Sequence, residues 1–184
     1  MTEASTSFSL YQLQTSAFGK TLCQLIAKAY KTGENVCVYV LDEETLNQLD
    51  AQLWTYAEKE FIPHGTMLDE FPDKQPVYIT MNIDESDTPN NAQVAVIVCR
   101  CRGGSNAELG WLGSYLSSQK IDDLSKNDLI YGKVCKYKKV IVVFEETNLL
   151  EFNALKDIIT ASSHLKLSCY AQQSDLSWQT LSFA

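Results

Sequence analysis

Two rhythms of apolar residues alternate along the chain, short β-branched runs and longer stripes at helical spacing, as in a sheet with helices packed on its faces. Ser7 to Leu13 (SFSLYQL) reads as a first strand. From Ser16 to Thr32, Phe18, Leu22, Leu25, Ile26 and Ala29 recur on one side of a helix that Gly33 is suited to end. Asn35 to Leu41 (NVCVYVL) is a second strand. Asp42 can cap the next helix, whose buried stripe is Leu46, Leu49 and Leu53, with Glu43 and Glu44 at the positive end of its dipole. Strand, helix, strand, helix implies parallel strands joined by right-handed crossovers.

Pro63 and Pro72 bracket a loop carrying His64 and Gly65. Val77 to Met81 and Gln93 to Cys99 supply two central strands, separated by the polar turn Asp84 to Asn91. Between Arg100 and Lys139 the periodicity fades, and about 100–138 reads as an irregular insertion; within it Ser105 and Glu108 make a capping box for a short helix through Leu116. Val140 to Phe144 is again a buried strand. Asn148 and Glu151 open a helix carrying Phe152, Leu155, Ile158 and Ile159, and Leu165 to Tyr170 forms the last strand. With no repeat, low-complexity tract or linker, residues 1–184 read as a single Rossmann-like α/β domain, its central sheet largely parallel with helices on both faces.

Charge narrows the function classes. Fifteen Lys and Arg against 23 Asp and Glu leave a net charge of −8 and an isoelectric point near 4.7. Electrostatic docking on duplex DNA, RNA or anionic lipid depends on clustered Lys and Arg, so contact with nucleic acid is expected to be indirect. The longest apolar runs, Val94 to Cys99 and Val140 to Phe144, fall far short of the roughly 20 residues of a membrane-spanning helix. Met1 to Ser9 holds Glu3, no Lys or Arg and no apolar core, so no secretory signal is read there and the expected location is cytoplasmic. The six cysteines, at 23, 37, 99, 101, 135 and 169, read as reduced core thiols.

Little in the sequence points to catalysis. Phe18-Gly19-Lys20-Thr21 resembles the end of a phosphate-binding loop, but position 14 is Gln where the loop needs Gly, and Lys20 falls inside the amphipathic helix. Cys99-Arg100-Cys101 lacks a second pair at zinc spacing. The only histidines, His64 and His164, sit in no nucleophile motif. Asp122 with Asp123, and Glu145 with Glu146, are adjacent pairs read as solvated. No metal or cofactor is expected. What stands out is Leu49-Asp50-Ala51-Gln52-Leu53-Trp54 followed by Phe61-Ile62-Pro63-His64, an aromatic cluster that either closes the core beneath a loop or anchors an interface.

At these residues the chain resembles the chi subunit family of bacterial DNA polymerase III. Phe8-Ser9-Leu10-Tyr11 matches the family's opening strand, Ala27 to Gly33 (AKAYKTG) its first helix end, Leu49 to Trp54 its Leu-Asp-x-x-Leu-Trp element and Phe61 to His64 its Phe-x-Pro-His element. Pro76-Val77 at the start of a strand also fits, as do Cys169 to Gln173 and the late Trp178. The likeness covers most of residues 7–99 and, more loosely, 139–180.

The resemblance implies a non-enzymatic accessory subunit of the clamp loader, bridging the psi subunit and the C-terminal tail of single-stranded DNA-binding protein; some relatives also serve a repair helicase. Trp54, Phe61, Pro63 and His64 match the segment near the psi-binding surface. An acidic tail ending in a carboxylate and Phe needs basic residues beside an apolar pocket. Relatives carry those on the last helix, where this chain has Lys156; Lys133, Lys136, Lys138 and Lys139 form its one basic cluster. Two other readings stay open: a nucleotide-binding α/β enzyme using Gly19-Lys20-Thr21, and direct single-stranded DNA binding through stacked aromatics.

Overall fold

A computed structural model of the chain describes residues 6–56, 61–82, 88–100, 136–160 and 165–181. Its strands are β1 (Ser7–Leu13), β2 (Val36–Tyr39), β3 (His64–Thr66), β4 (Val77–Thr80), β5 (Val94–Cys99), β6 (Lys139–Glu145), β7 (Lys166–Gln172) and β8 (Trp178–Leu181). They form one sheet in the order β3-β4-β2-β5-β6-β1-β7-β8. Every neighbouring pair is parallel except β7 with β8. Among the described residues three α-helices accompany them: α1 (Phe18–Tyr30), α2 (Glu43–Thr55) and α3 (Leu149–Thr160).

All of β2 and all of β5 is buried, as a parallel strand covered on both sides must be. Alternate residues divide between two cores. Val36, Val38, Val96 and Ile141 pack with Leu22 and Ile26 of α1 and with Leu46, Leu49 and Leu53 of α2. Cys37, Ile97, Val142 and Phe144 face the other way, toward Phe152, Leu155 and Ile159 of α3. The topology requires this split: α1 takes the chain from β1 across β6 and β5 to β2, whereas α3 takes it from β6 across β1 to β7. Right-handed crossovers running in opposite directions lie on opposite faces. Asp42 caps α2, its carboxylate accepting the Thr45 N–H at 2.7 Å and the Thr45 hydroxyl at 2.8 Å. Gly33 follows α1 at φ 82°, where a Cβ would be strained.

Three expectations need correction. His64 and Gly65 lie not in a loop but in β3, an edge strand paired with Val77 and Tyr78 of β4; three residues are too few to show a period. Only β5 of the two strands taken as central is central, since β4 lies next to that edge, although it is fully buried. Leu165 to Tyr170 is not the last strand: β7 runs on to Gln172, the chain turns through Leu176 at φ 63°, and β8 pairs back antiparallel. Trp178–Leu181 is exposed at the sheet's other edge and carries no buried alternation to betray it.

The capping box at Ser105 and Glu108, its helix to Leu116, most of the turn from Asp84, the Asp122–Asp123 pair, and Lys133, Cys101, Cys135 and His164 lie outside the described residues. Cys23, Cys37, Cys99 and Cys169 are buried and unbridged, and burial pushes the Cys23 and Cys169 thiols up to about 11. Among the described residues no helix is long and apolar enough to cross a membrane.

Candidate functional site

The end of α2 and the start of β3 build an aromatic corner at the β3 edge of the sheet. Ile62 and His64, two apart, turn inward; Ile62 is 3% exposed and packs in the α1–α2 core. Phe61 turns outward and meets Trp54 from the last turn of α2, ring centroids 5.4 Å apart. The His64 ring lies 5.0 Å from Trp54 and 6.4 Å from Phe61, and Pro63 is half-buried between them in sequence. Trp54 is 59% and Phe61 60% exposed, so this pair does not close the core. Leu68 and Phe71, both exposed, and Met67 continue the apolar surface past β3, with Lys74 Nζ 5.3 Å from the centroid of the Phe71 ring.

His64 is the hinge of this corner. Its side chain is fully buried, and Nδ1 lies 2.7 Å from the Ile62 carbonyl oxygen. A carbonyl only accepts, so Nδ1 carries a proton and, in the neutral ring, Nε2 presents a lone pair. Nε2 sits 3.3 Å from Asp50 Oδ1 without hydrogen-bond alignment. Beside it opens a groove of about 460 Å³, lined by Leu46, Asp50, Trp54, Leu68, Asp69 and Glu70 among others. Asp69 Oδ2 accepts both the Thr66 N–H (2.8 Å) and the Thr66 hydroxyl (2.9 Å), bonds that hold its carboxyl below the usual range. They also occupy an amide of the edge strand, which blunts it against strand addition. Asp50, Leu68, Asp69 and Glu70 were not legible as site residues; Asp50 was visible only as part of the Leu-Asp-x-x-Leu-Trp element.

The lysines are placed differently. Lys156 lies on α3, with its ammonium 3.3 Å from Asn153 Oδ1 and 3.8 Å from Asp157 Oδ1. Lys138 and Lys139 stand where β6 begins; Lys138 Nζ pairs with Glu34 Oε1 at 2.8 Å, and Lys136 Nζ lies 5.5 Å from the Tyr137 ring centroid. The charge of Lys138 is thus already countered.

Gly19-Lys20-Thr21 has local work to do. A Cβ on Gly19 would come within 2.4 Å of Gln52 Oε1, the far end of an exposed side chain of α2 that can swing aside. Thr21 is buried and its hydroxyl accepts a bond from Gln172 Nε2 at 3.3 Å, while Lys20 is exposed. In open α/β sheets the ligand crevice lies where neighbouring strands send their helices to opposite faces, here between β1 and β6. At that point Glu146 Oε1 accepts the Thr15 N–H at 3.1 Å, just ahead of α1, and the Glu146 N–H donates to the Leu13 carbonyl at 2.8 Å. Glu145, buried rather than solvated, lies 3.4 Å from Arg100 Nε. Among the described residues no three His, Cys, Asp or Glu converge as metal ligands.

Residues 5–110 match the family model described as DNA polymerase III chi subunit, HolC. A Rickettsia prowazekii protein named "Probable DNA polymerase III subunit chi" is 30% identical over 179 residues, covering 95% of this chain and 91% of that protein. The "DNA polymerase III subunit chi" of Pseudomonas aeruginosa is 36% identical over 50 residues, 27% of this chain and 35% of its own. Among solved structures, the C-terminal domain of the Saccharomyces cerevisiae protein Dbp5, bound to Gle1 and IP6, superposes with a TM-score of 0.55 at 13% identity, covering 90% of this chain and 89% of that one. A second structure of that DEAD-box domain gives a TM-score of 0.52 at 14% identity, covering 93% and 92%. At such identity the likeness shows a shared α/β fold alone.

Proposed function

The chain belongs to the DNA polymerase III chi subunit family, and from that premise we propose that it works by adhesion, as a non-catalytic bridge between the psi subunit of the clamp loader and the C-terminal tail of single-stranded DNA-binding protein. Membership makes it an accessory protein of DNA replication. The observation that carries the adhesive reading is the Trp54–Phe61 pair, two aromatics about 60% exposed and seated on a buried histidine. A side chain held rigidly from below and bare above loses little entropy on docking and gains a full face of apolar contact, the usual profile of an interface anchor. Pro63 stiffens the backbone between Phe61 and His64.

The tail of single-stranded DNA-binding protein is assigned to Lys156, supported by Lys136, Lys139 and, on release from Glu34, Lys138. Lys156 is the cation on α3, and its contacts, 3.3 Å to the Asn153 amide oxygen and 3.8 Å to the Asp157 carboxylate, are longer than the charge-assisted bond an incoming carboxylate can make. Two weak contacts suffice in such an adapter, because tethering through one raises the effective concentration for the other to roughly millimolar. The nucleotide reading finds no support in Gly19, Lys20 and Thr21, whose contacts are with α2, solvent and Gln172.

Isothermal titration of the full chain against purified psi, and anisotropy of a labelled tail peptide with and without its terminal Phe, test the two arms separately. Psi binding that falls in Phe61→Ala supports the first arm. Peptide binding that requires the terminal Phe and falls in Lys156→Ala supports the second; equal binding of the truncated peptide overturns it.

A further inference from the structure

We propose that the groove beside Trp54 receives a cationic side chain, a Lys or Arg carried by the partner segment that docks on this edge. The inference rests on reading the edge as a partner surface and adds the chemistry of what fills it. The groove carries three carboxylates, Asp50, Asp69 and Glu70, and no Lys or Arg among its described lining. His64 supplies the second, independent observation. With Nδ1–H committed to the Ile62 carbonyl, the buried Nε2 lies 3.3 Å from the Asp50 carboxylate without a hydrogen-bond partner; in the neutral ring both are acceptors, with no donor between them. The carboxylate is one-third exposed on the groove side, so an N–H donor arriving from solvent can engage it and relieve the opposition.

The walls fit the rest of such a side chain. Leu46 and Leu68 offer apolar contact to an aliphatic stem, and the Trp54 ring offers a π face to the charged head. Asp69 Oδ2 is already held by Thr66, so Asp50 and Glu70, with the remaining Asp69 oxygen, are the groups that can pair with the cation. A guanidinium suits the site better than an ammonium because its planar fork can donate to a carboxylate while stacking on an indole.

The test uses the isotopically labelled full chain and the probe acetyl-Leu-Arg-Leu-amide, beside its citrulline counterpart, which keeps the shape and loses the charge. The arginine peptide should shift the Trp54 indole and His64 ring signals saturably, and the citrulline peptide should bind about tenfold more weakly. Asp50→Asn should abolish that preference and Glu70→Gln should reduce it. Equal affinity for both peptides, or an undiminished preference in both variants, would overturn the proposal. So would a doubly protonated His64 ring without peptide at about pH 8, since a proton would then already separate the two acceptors. Loss of the charge preference while psi binding remains sensitive to Phe61→Ala sinks this inference alone; an intact preference with psi binding indifferent to Phe61→Ala sinks the partner reading instead.

Discussion

Phe61→Ala separates the two jobs a large aromatic can do, supporting the fold and anchoring a partner. A phenylalanine side chain has about 200 Å² to bury. Phe61 is 60% exposed, so about 80 Å² is already covered and about 120 Å² is available to a partner. At about 25 cal/mol per Å² the covered share corresponds to about 2 kcal/mol and the free share to about 3 kcal/mol. Alanine keeps its methyl, which reduces these to about 1 and about 2 kcal/mol. A chain of this length loses roughly 2–4 °C in Tm per kcal/mol, so the variant should unfold only a few degrees early. Binding to psi should weaken by roughly 30-fold, since each 1.4 kcal/mol is about a factor of ten. Calorimetric unfolding and isothermal titration on the same preparation read both numbers. Unchanged psi affinity, or a Tm loss of roughly 15 °C, which for this length means about 4–7 kcal/mol, would refute the reasoning, the latter by showing Phe61 to be part of the core.

Asp42→Ala removes both bonds to Thr45 and should cost about 1 kcal/mol in urea unfolding. Tyr137→Phe takes from the buried Tyr39 hydroxyl its partner at 2.5 Å and leaves it the weaker Cys37 thiol, at a cost of about 1 kcal/mol. Burial foremost raises the pKa of both tyrosines. An acid raised in the folded state contributes stability that is whole below its unfolded value, near 10, and lost above it. Urea midpoints should therefore hold up to about pH 10 and fall beyond; a flat profile through pH 11 contradicts the burial argument. Saturating ATP or GTP should leave Tm unmoved, whereas a true site at hundredfold excess would add about 2.7 kcal/mol and several degrees.

The order of strands and helices was legible because the inner strands β2, β4 and β5 are buried throughout, as NVCVYVL shows, and α1, α2 and α3 each carry an apolar stripe. The two edges were not. His64 to Thr66 is a strand by virtue of its partner β4, and Trp178 to Leu181 is exposed up to its half-buried last residue, so neither advertises a period. At the site, Trp54, Phe61, Pro63 and His64 were legible as a cluster, whereas Asp50, Asp69 and Glu70 come together only through folding: α2 supplies the first and the turn after β3 the other two. Exposure was equally hidden. Residue type alone does not tell an outward Phe61 from an inward Ile62, and the difference comes from strand alternation fixed at His64.

The position of the corner follows from what the fold has closed elsewhere. An open α/β sheet offers a ligand the crevice at its switch point, where backbone amides ahead of a helix welcome an anion. Here Glu146 occupies the Thr15 amide, Glu145 lies 3.4 Å from Arg100 Nε, and the Arg100 guanidinium lies 5.0 Å from the Phe18 ring centroid, so the amide and the cation at this crevice already have partners. The chain has supplied its own anion to that helix start. What stays open is the β3 edge, where a strand of three residues leaves Trp54, Phe61 and an acidic groove exposed to solvent, and where docking asks nothing of the closed crevice. Substituting Glu146 should then alter stability with no effect on psi binding, whereas substituting Phe61 should weaken psi binding about 30-fold and cost only a few degrees of Tm; loss of psi binding in the Glu146 variant would mean that the crevice and the edge form one site.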